Sequence, residues 1–319
     1  MITIVDQVRF QPDESNPHTL EGAGSCPECR YILPRLVDCA ADYFERGFVA
    51  CGQCGDRVDV WRAALDRATR LSATTRWALA SLGAAETTFV MPMETGKFYP
   101  LELTEYGVQA GARILSRHCT THSGDQGLVT AVEFHPHGGA HRIRGTLLRL
   151  IAIPFLEGPI PRIGRVLVTV TWIRGDEADA WPYLVTAFES AAADDYAPAL
   201  VFAQSAVEIS LMPIIECKLR RHAPISRVKS FLRDSLKYSH ALSVLLPNMC
   251  AEAGIPRMPD AVRTALDKMR KKRNDIIHQG TKKAAIAPED AMEGLCASVF
   301  GFEFMRYVGP KLLGRDDAS

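Results

Sequence analysis

Apolar residues return along this chain in two rhythms, and the points where the rhythm changes divide it into three regions. From Trp61 they recur every three or four positions, through Ala64, Leu65, Ala68, Leu71, Ala78, Leu79 and Leu82. That is the period of a helix with one buried face. The opposite face carries Arg62, Arg67, Arg70 and Arg76 against Asp66, either a solvated surface or a contact for phosphate. From Ala85 to Arg174 the pattern breaks into short β-rich runs, TTFVM, FYPLEL, VTAVEF, RIRGTLLRL and VLVTVTW, with turns rich in Gly, Pro and His between them. Such spacing predicts a small antiparallel sandwich or barrel. GDEADAWP, Gly175 to Pro182, reads as the boundary that follows.

Beyond that boundary the helical rhythm returns. Leu200, Val201, Val207, Leu211, Ile214 and Ile215 form one stripe, with a kink expected at Pro213. Val228, Phe231, Leu232, Leu242, Leu245 and Leu246 form a second, ending before Pro247. A third helix starts at Pro259-Asp260 and runs to His278, with Gly280 as its stop, and a fourth runs from Pro288 to Gly309-Pro310. Four helices with short connections predict an up-and-down bundle. The expected architecture is multidomain α+β: a cysteine-bearing region with its helix over 1–83, a β-rich domain over 84–178 and a helical domain over 179–319.

Composition narrows the chemistry. Lys+Arg and Asp+Glu number 37 each, so a basic surface for an anionic partner has to be local. The chain opens without a basic segment leading into an apolar one. Its most apolar run, Leu147 to Leu156, contains Arg149 and Pro154 and falls short of the roughly 20 residues that span a bilayer. The expectation is a soluble, cytoplasmic protein with no membrane partner.

Four of the nine cysteines stand in two pairs, CPEC (Cys26, Cys29) and CGQC (Cys51, Cys54). Each C-x-x-C turn presents two sulfurs to one ion, and two such turns complete a tetrahedral thiolate site. Gly52 and Gly55 suit tight turns, and the insert between the pairs has room for a strand–loop–strand. Two pairs in one short segment favour a zinc ribbon over a redox dithiol. Four thiolates leave no open position for substrate, so the Zn²⁺ is expected to be structural. Two further groupings, His118, Cys119 and His122, and then His135, His137 and His141, are read as loop residues rather than metal ligands.

On a helical wheel of the third helix, Val262, Leu266, Met269 and Ile276 share one face, and Arg273 falls in its middle. A cation meant only for solubility belongs on the polar side, unless its stem snorkels out at the helix end. Asn274 and His278 share a different face at i, i+4. His278 lies about 140° around from Arg273, so the two do not converge within one helix. A second copy related by a two-fold axis would bring two such sets across one groove. Arg270, Lys271, Lys272, Lys282 and Lys283 against Asp267 and Asp275 form a local positive excess that can guide a phosphate backbone, or a solvated helix end. Glu208 stands in an otherwise apolar helix and is read as a partner for a cation rather than a catalytic group.

Arg273-Asn274-Asp275-Ile276-Ile277-His278, closed by Gly280 on the third helix of a predicted bundle, resembles the R-x4-6-H motif of the HEPN superfamily (higher eukaryotes and prokaryotes nucleotide-binding domains). The resemblance covers Ala197 to Leu313 and does not extend to the cysteine or β regions. It implies a metal-independent endoribonuclease of a bacterial defence or toxin system, acting as a homodimer on RNA, with an antitoxin or defence-system partner. RNA supplies its own nucleophile, the 2′-hydroxyl, so no metal cofactor is required for catalysis. His278 would take and return protons, Arg273 would stabilise the phosphorane, and Asn274 would orient the phosphate or the imidazole. The competing reading is a bundle without activity, serving as a module that binds nucleic acid or protein or as a regulatory sensor.

Overall fold

The computed structural model describes residues 23–70, 78, 81–121, 129–133, 146–154, 162–174, 179–279 and 286–314. It is a mixed fold of helices and antiparallel sheets. The chain divides into two compact units: Ala84–Glu177 holds the larger sheets, while Thr19–Gly83 and Ala178–Ser319 fold together into the other. The first and third regions of the sequence thus share one unit, with the β region inserted between them.

In the inserted unit, β3 (Ala85–Glu94), β8 (Ile163–Ile173) and β5 (Arg113–Thr121) form one three-stranded sheet, in that order. β4 (Phe98–Glu102), β7 (Leu147–Pro154) and β6 (Val129–Glu133) form the other. All pairings are antiparallel, with Phe89 opposite Val168 and Leu101 opposite Leu148. Alternate side chains turn to one face, so Val166, Val168 and Val170 of β8 join Leu148, Leu150 and Ala152 of β7 in a single core. TTFVM, VTAVEF up to Glu133, VLVTVTW, most of FYPLEL and the LLRL end of RIRGTLLRL lie in these strands, while residues 142–145 lie outside the described residues. β5 was not among the expected runs, and it places His118 and Cys119 in a strand rather than a turn. His118 is exposed there, while Cys119 packs toward the core. His122, His135, His137 and His141 lie outside the described residues.

The other unit begins with α1 (Leu36–Arg46), the two-residue strands β1 (Val49–Ala50) and β2 (Arg57–Val58), and α2 (Val60–Arg70). α1 stands where a strand–loop–strand was expected. Leu36, Cys39, Ala40, Tyr43 and Phe44 bury one helical stripe, and Gly47 ends it with φ 78°. Leu71, Arg76, Leu79 and the sequence up to residue 22 lie outside the described residues.

After the insert come α3 (Trp181–Ala192), α4 (Tyr196–Arg220), α5 (Ile225–Asp234), α6 (Leu246–Glu252), α7 (Asp260–Gln279) and α8 (Pro288–Leu313). A π-helical turn, Ala241–Leu245, leads into α6. α3 starts inside the stretch read as a boundary, with Pro182 in its first turn where a missing N–H costs nothing. For the same reason Pro247 opens α6 instead of ending the helix before it. α4 continues through Pro213 and α8 through Pro310. α4 is long and apolar enough to cross a membrane, yet Ala199, Leu200, Ala203, Val207, Leu211 and Ile215 are buried against protein.

α8 is the axis of this unit. Glycines let its neighbours approach: a Cβ on Gly294 would lie 2.6 Å from Leu200 of α4 and 3.4 Å from Met269 of α7. Gly301 meets Leu266 and Val207 in the same way, and Trp181 of α3 packs edge-on against Phe302. On the other side of α8, Trp61 and Tyr43 meet Phe300, and Phe44 meets Phe304, with ring centroids 5.1–5.7 Å apart.

Gly24 has the tightest backbone constraint near the cysteines, since its Cβ would come 2.6 Å from the backbone carbon of Ala63. Gly24→Ala should destabilise this unit by about 1–3 kcal/mol, read as a lower urea midpoint at unchanged slope. An unchanged midpoint would contradict the close packing.

Candidate functional site

Two groups of chemistry-bearing residues stand out, and both lie in the helical unit. The first is the cysteine centre. Cys26 and Cys51 open two turns of the same design. Each accepts at its carbonyl from the residue four places on, Arg30 N–H at 3.0 Å and Gly55 N–H at 2.9 Å. Each donates its own N–H to the residue five places on, Tyr31 or Asp56, at 2.8 Å. Both turns need a left-handed residue at the fourth place: Gly55 takes it at φ 78°, and Arg30 takes it under strain at φ 65°.

These turns bring all four sulfurs within 4.8 Å of one another. The Cys26–Cys54 and Cys29–Cys51 Sγ separations are 3.7 and 3.6 Å. A tetrahedron with metal–sulfur bonds of about 2.3 Å has edges of about 3.8 Å, so the four donors fit one tetrahedral ion. Backbone N–H groups of Cys54 and then Gln53 hold the Cys51 thiol down to about 7, while Cys29 and Cys54, sharing the cluster with it, are pushed up. Cys26 and Cys51 are buried, whereas Cys54 reaches solvent.

The second group is on α7. Val262, Leu266, Met269 and Ile276 are buried as the wheel predicts, and Arg273 is half-buried beside them. Its Nη1 donates to Asn274 Oδ1 at 3.4 Å, and among the described residues it has no carboxylate partner. His278 is exposed in the last turn, next to Ile277, an isoleucine 52% exposed.

The basic residues expected to guide RNA are differently placed. Arg270 and Lys271 both pair with Asp267, at 2.8 Å each, and Lys272 reaches across to Asp290 of α8 at 2.7 Å. Their charge is largely committed to carboxylates. Gly280, Lys282 and Lys283 lie outside the described residues. Glu208 of α4 acquires a neighbour that the sequence did not suggest, Tyr238 in the turn before the π-helical segment. The Tyr238 hydroxyl is buried without a hydrogen-bond partner among the described residues. Burial first, and then the Glu208 carboxylate, push its phenol well up; Arg270 opposes them and Asp267 adds to them. These causes place Tyr238 near α4 and near the face of α7 one turn before Arg273.

No protein-family model, curated protein or solved structure matches the chain. The functional reading therefore stands on these residues and their geometry.

Purified without chelator, the protein should carry one tetrahedrally bound divalent ion per chain by elemental analysis. Stripping it should lower the thermal midpoint, because α1 and α2, on either side of Cys51 and Cys54, pack on α8. No bound ion, or no change of midpoint on stripping, would contradict this.

Proposed function

We propose that the protein is a HEPN-type endoribonuclease whose active site is the Arg273–Asn274–His278 set of α7. The observation that carries this reading is the state of Arg273. It is half-buried among apolar residues and bound to Asn274, with no carboxylate partner among the described residues, while cations one turn away are paired. A guanidinium held so is available to a phosphate. His278 is exposed at the end of the same helix, where an imidazole can exchange protons with substrate.

The chemistry follows from RNA itself. The 2′-hydroxyl attacks the adjacent phosphorus while an imidazole removes its proton. The bond to the 5′-oxygen breaks as that oxygen is protonated. The products are a 2′,3′-cyclic phosphate and a 5′-hydroxyl. Arg273 neutralises charge on the pentacoordinate phosphorus, and Asn274 fixes its orientation. Cys26, Cys29, Cys51 and Cys54 would hold a structural Zn²⁺ that braces α8 and takes no part in cleavage. The helices around α8 would form the HEPN bundle and pair with a second copy through the end of α7, where Ile277 is exposed beside His278. A bacterial defence or toxin setting, with an antitoxin or other partner, is the biological role this activity suits.

Cleavage of labelled RNA should fall by roughly 100-fold or more in His278→Ala, the scale of general acid–base catalysis, and by a comparable factor in Arg273→Ala. Equal rates in all three proteins would remove the active-site assignment. Ile277→Glu should give a monomer by sedimentation at micromolar concentration and abolish cleavage. A monomer that still cuts would contradict the composite cleft.

A further inference from the structure

Besides Arg273, exposed cations without a carboxylate partner among the described residues lie on and just after α5. This short helix is almost wholly exposed; Val228 is its one buried residue. Arg227, Lys229 and, just beyond the helix, Lys237 are exposed, and none has a carboxylate partner among the described residues. Arg233, by contrast, is held by Asp234 at 2.7 Å. Phe231 is 40% exposed and Ile225 50% exposed. Residues one turn apart share a helix edge, so Arg227 and Phe231 lie side by side on one edge of the buried stripe. Ile225 and Lys229 occupy the other.

α5 thus leaves Ile225 and Phe231 in solvent and buries Val228 alone. An exposed aromatic ring beside unpaired cations suits single-stranded nucleic acid, whose bases stack on the ring while its phosphates meet the cations. The position of the helix agrees. α5 packs on α4 and leads into Tyr238, whose buried hydroxyl feels the charges of Glu208 on α4 and of Arg270 on α7.

We propose that α5 is the RNA-docking surface of this protein, with Arg227, Lys229 and Lys237 contacting phosphates and Phe231 stacking on a base. The assignment rests on the ribonuclease reading for its substrate, and binding tests it separately from cleavage. A fluorescein-labelled 20-nucleotide single-stranded RNA is titrated into full-length His278→Ala protein at several salt concentrations. The same titration is run with Arg227→Gln, Lys229→Gln and Lys237→Gln combined in that background, and with Phe231→Ala.

The triple substitution should weaken binding and reduce the slope of log affinity against log salt by about 2, three phosphate contacts at roughly 0.7 each. Phe231→Ala should weaken binding about 5-fold to 100-fold with the slope unchanged. Circular dichroism and the thermal midpoint confirm that the variants are folded. An unchanged slope and affinity in the folded triple variant overturns the proposal, as does failure of the parent protein to bind RNA. Binding to vesicles of phosphatidylglycerol that the triple variant loses while keeping its RNA affinity overturns it in favour of a membrane surface. Binding through α5 without cleavage by the wild type would retain this surface and sink the nuclease. Cleavage with RNA affinity indifferent to α5 would do the reverse.

Discussion

The helical unit depends on one set of contacts, the aromatic face of α8 against the cysteine segment. Trp61 and Tyr43 close on Phe300, and Phe44 on Phe304, all edge-on or tilted. Each such pair contributes about 0.5–1.5 kcal/mol beyond the area it buries. At the rim Glu45 accepts hydrogen bonds from the Tyr307 hydroxyl and the Lys311 ammonium. These contacts join parts of the chain separated by the whole β unit. Without them α8 would lose one side of its packing, and α4 and α7 pack on the other. A metal held by the four cysteines would fix α1 and α2 and so bear on the helix that carries Arg273 and His278, although the sulfurs take no part in the proposed chemistry.

The same constraint explains the glycines of α8. Gly294 and Gly301 are where Leu200, Val207 and Leu266 come closest. A helix covered on two sides has no room there for side chains. The unit also holds polar exceptions. Arg273 lies half-buried with Asn274 as its partner, and Tyr238 buries a hydroxyl with no partner among the described residues. Buried polar groups are ordinarily satisfied, and Arg67, Ser81 and Gln204 of the same unit likewise bury a side-chain polar atom with no partner among the described residues.

Local signals in the sequence were legible where chemistry repeats at short range. The two C-x-x-C turns, the start of α7 at Asp260 and the start of α8 at Pro288 needed only spacing and first-turn residues. So did the buried face of α7. What was not legible depended on distant partners. α1 is 11 residues long, and its stripe has meaning only once Phe300 and Phe304 are placed against it. β5, RILSRHCTT, mixes charged and apolar residues and becomes a strand by pairing with β8. The charge around Arg273 misled most: Asp290, 18 residues from Lys272, neutralises it across two helices. The cations of α5 were in plain view, but the even charge balance of the chain and a few apolar neighbours made that stretch read as core.

The central claim, that α7 lets RNA cut itself with its own 2′-hydroxyl, is tested most directly by changing that hydroxyl. Once a cleavage site is mapped on a defined RNA, the same RNA is made with a single 2′-deoxynucleotide at the cut. The account predicts that cutting at that site disappears, while the unmodified RNA yields 2′,3′-cyclic phosphate and 5′-hydroxyl ends by mass spectrometry. Continued cutting at the deoxy position, or ends carrying a 5′-phosphate, would contradict it.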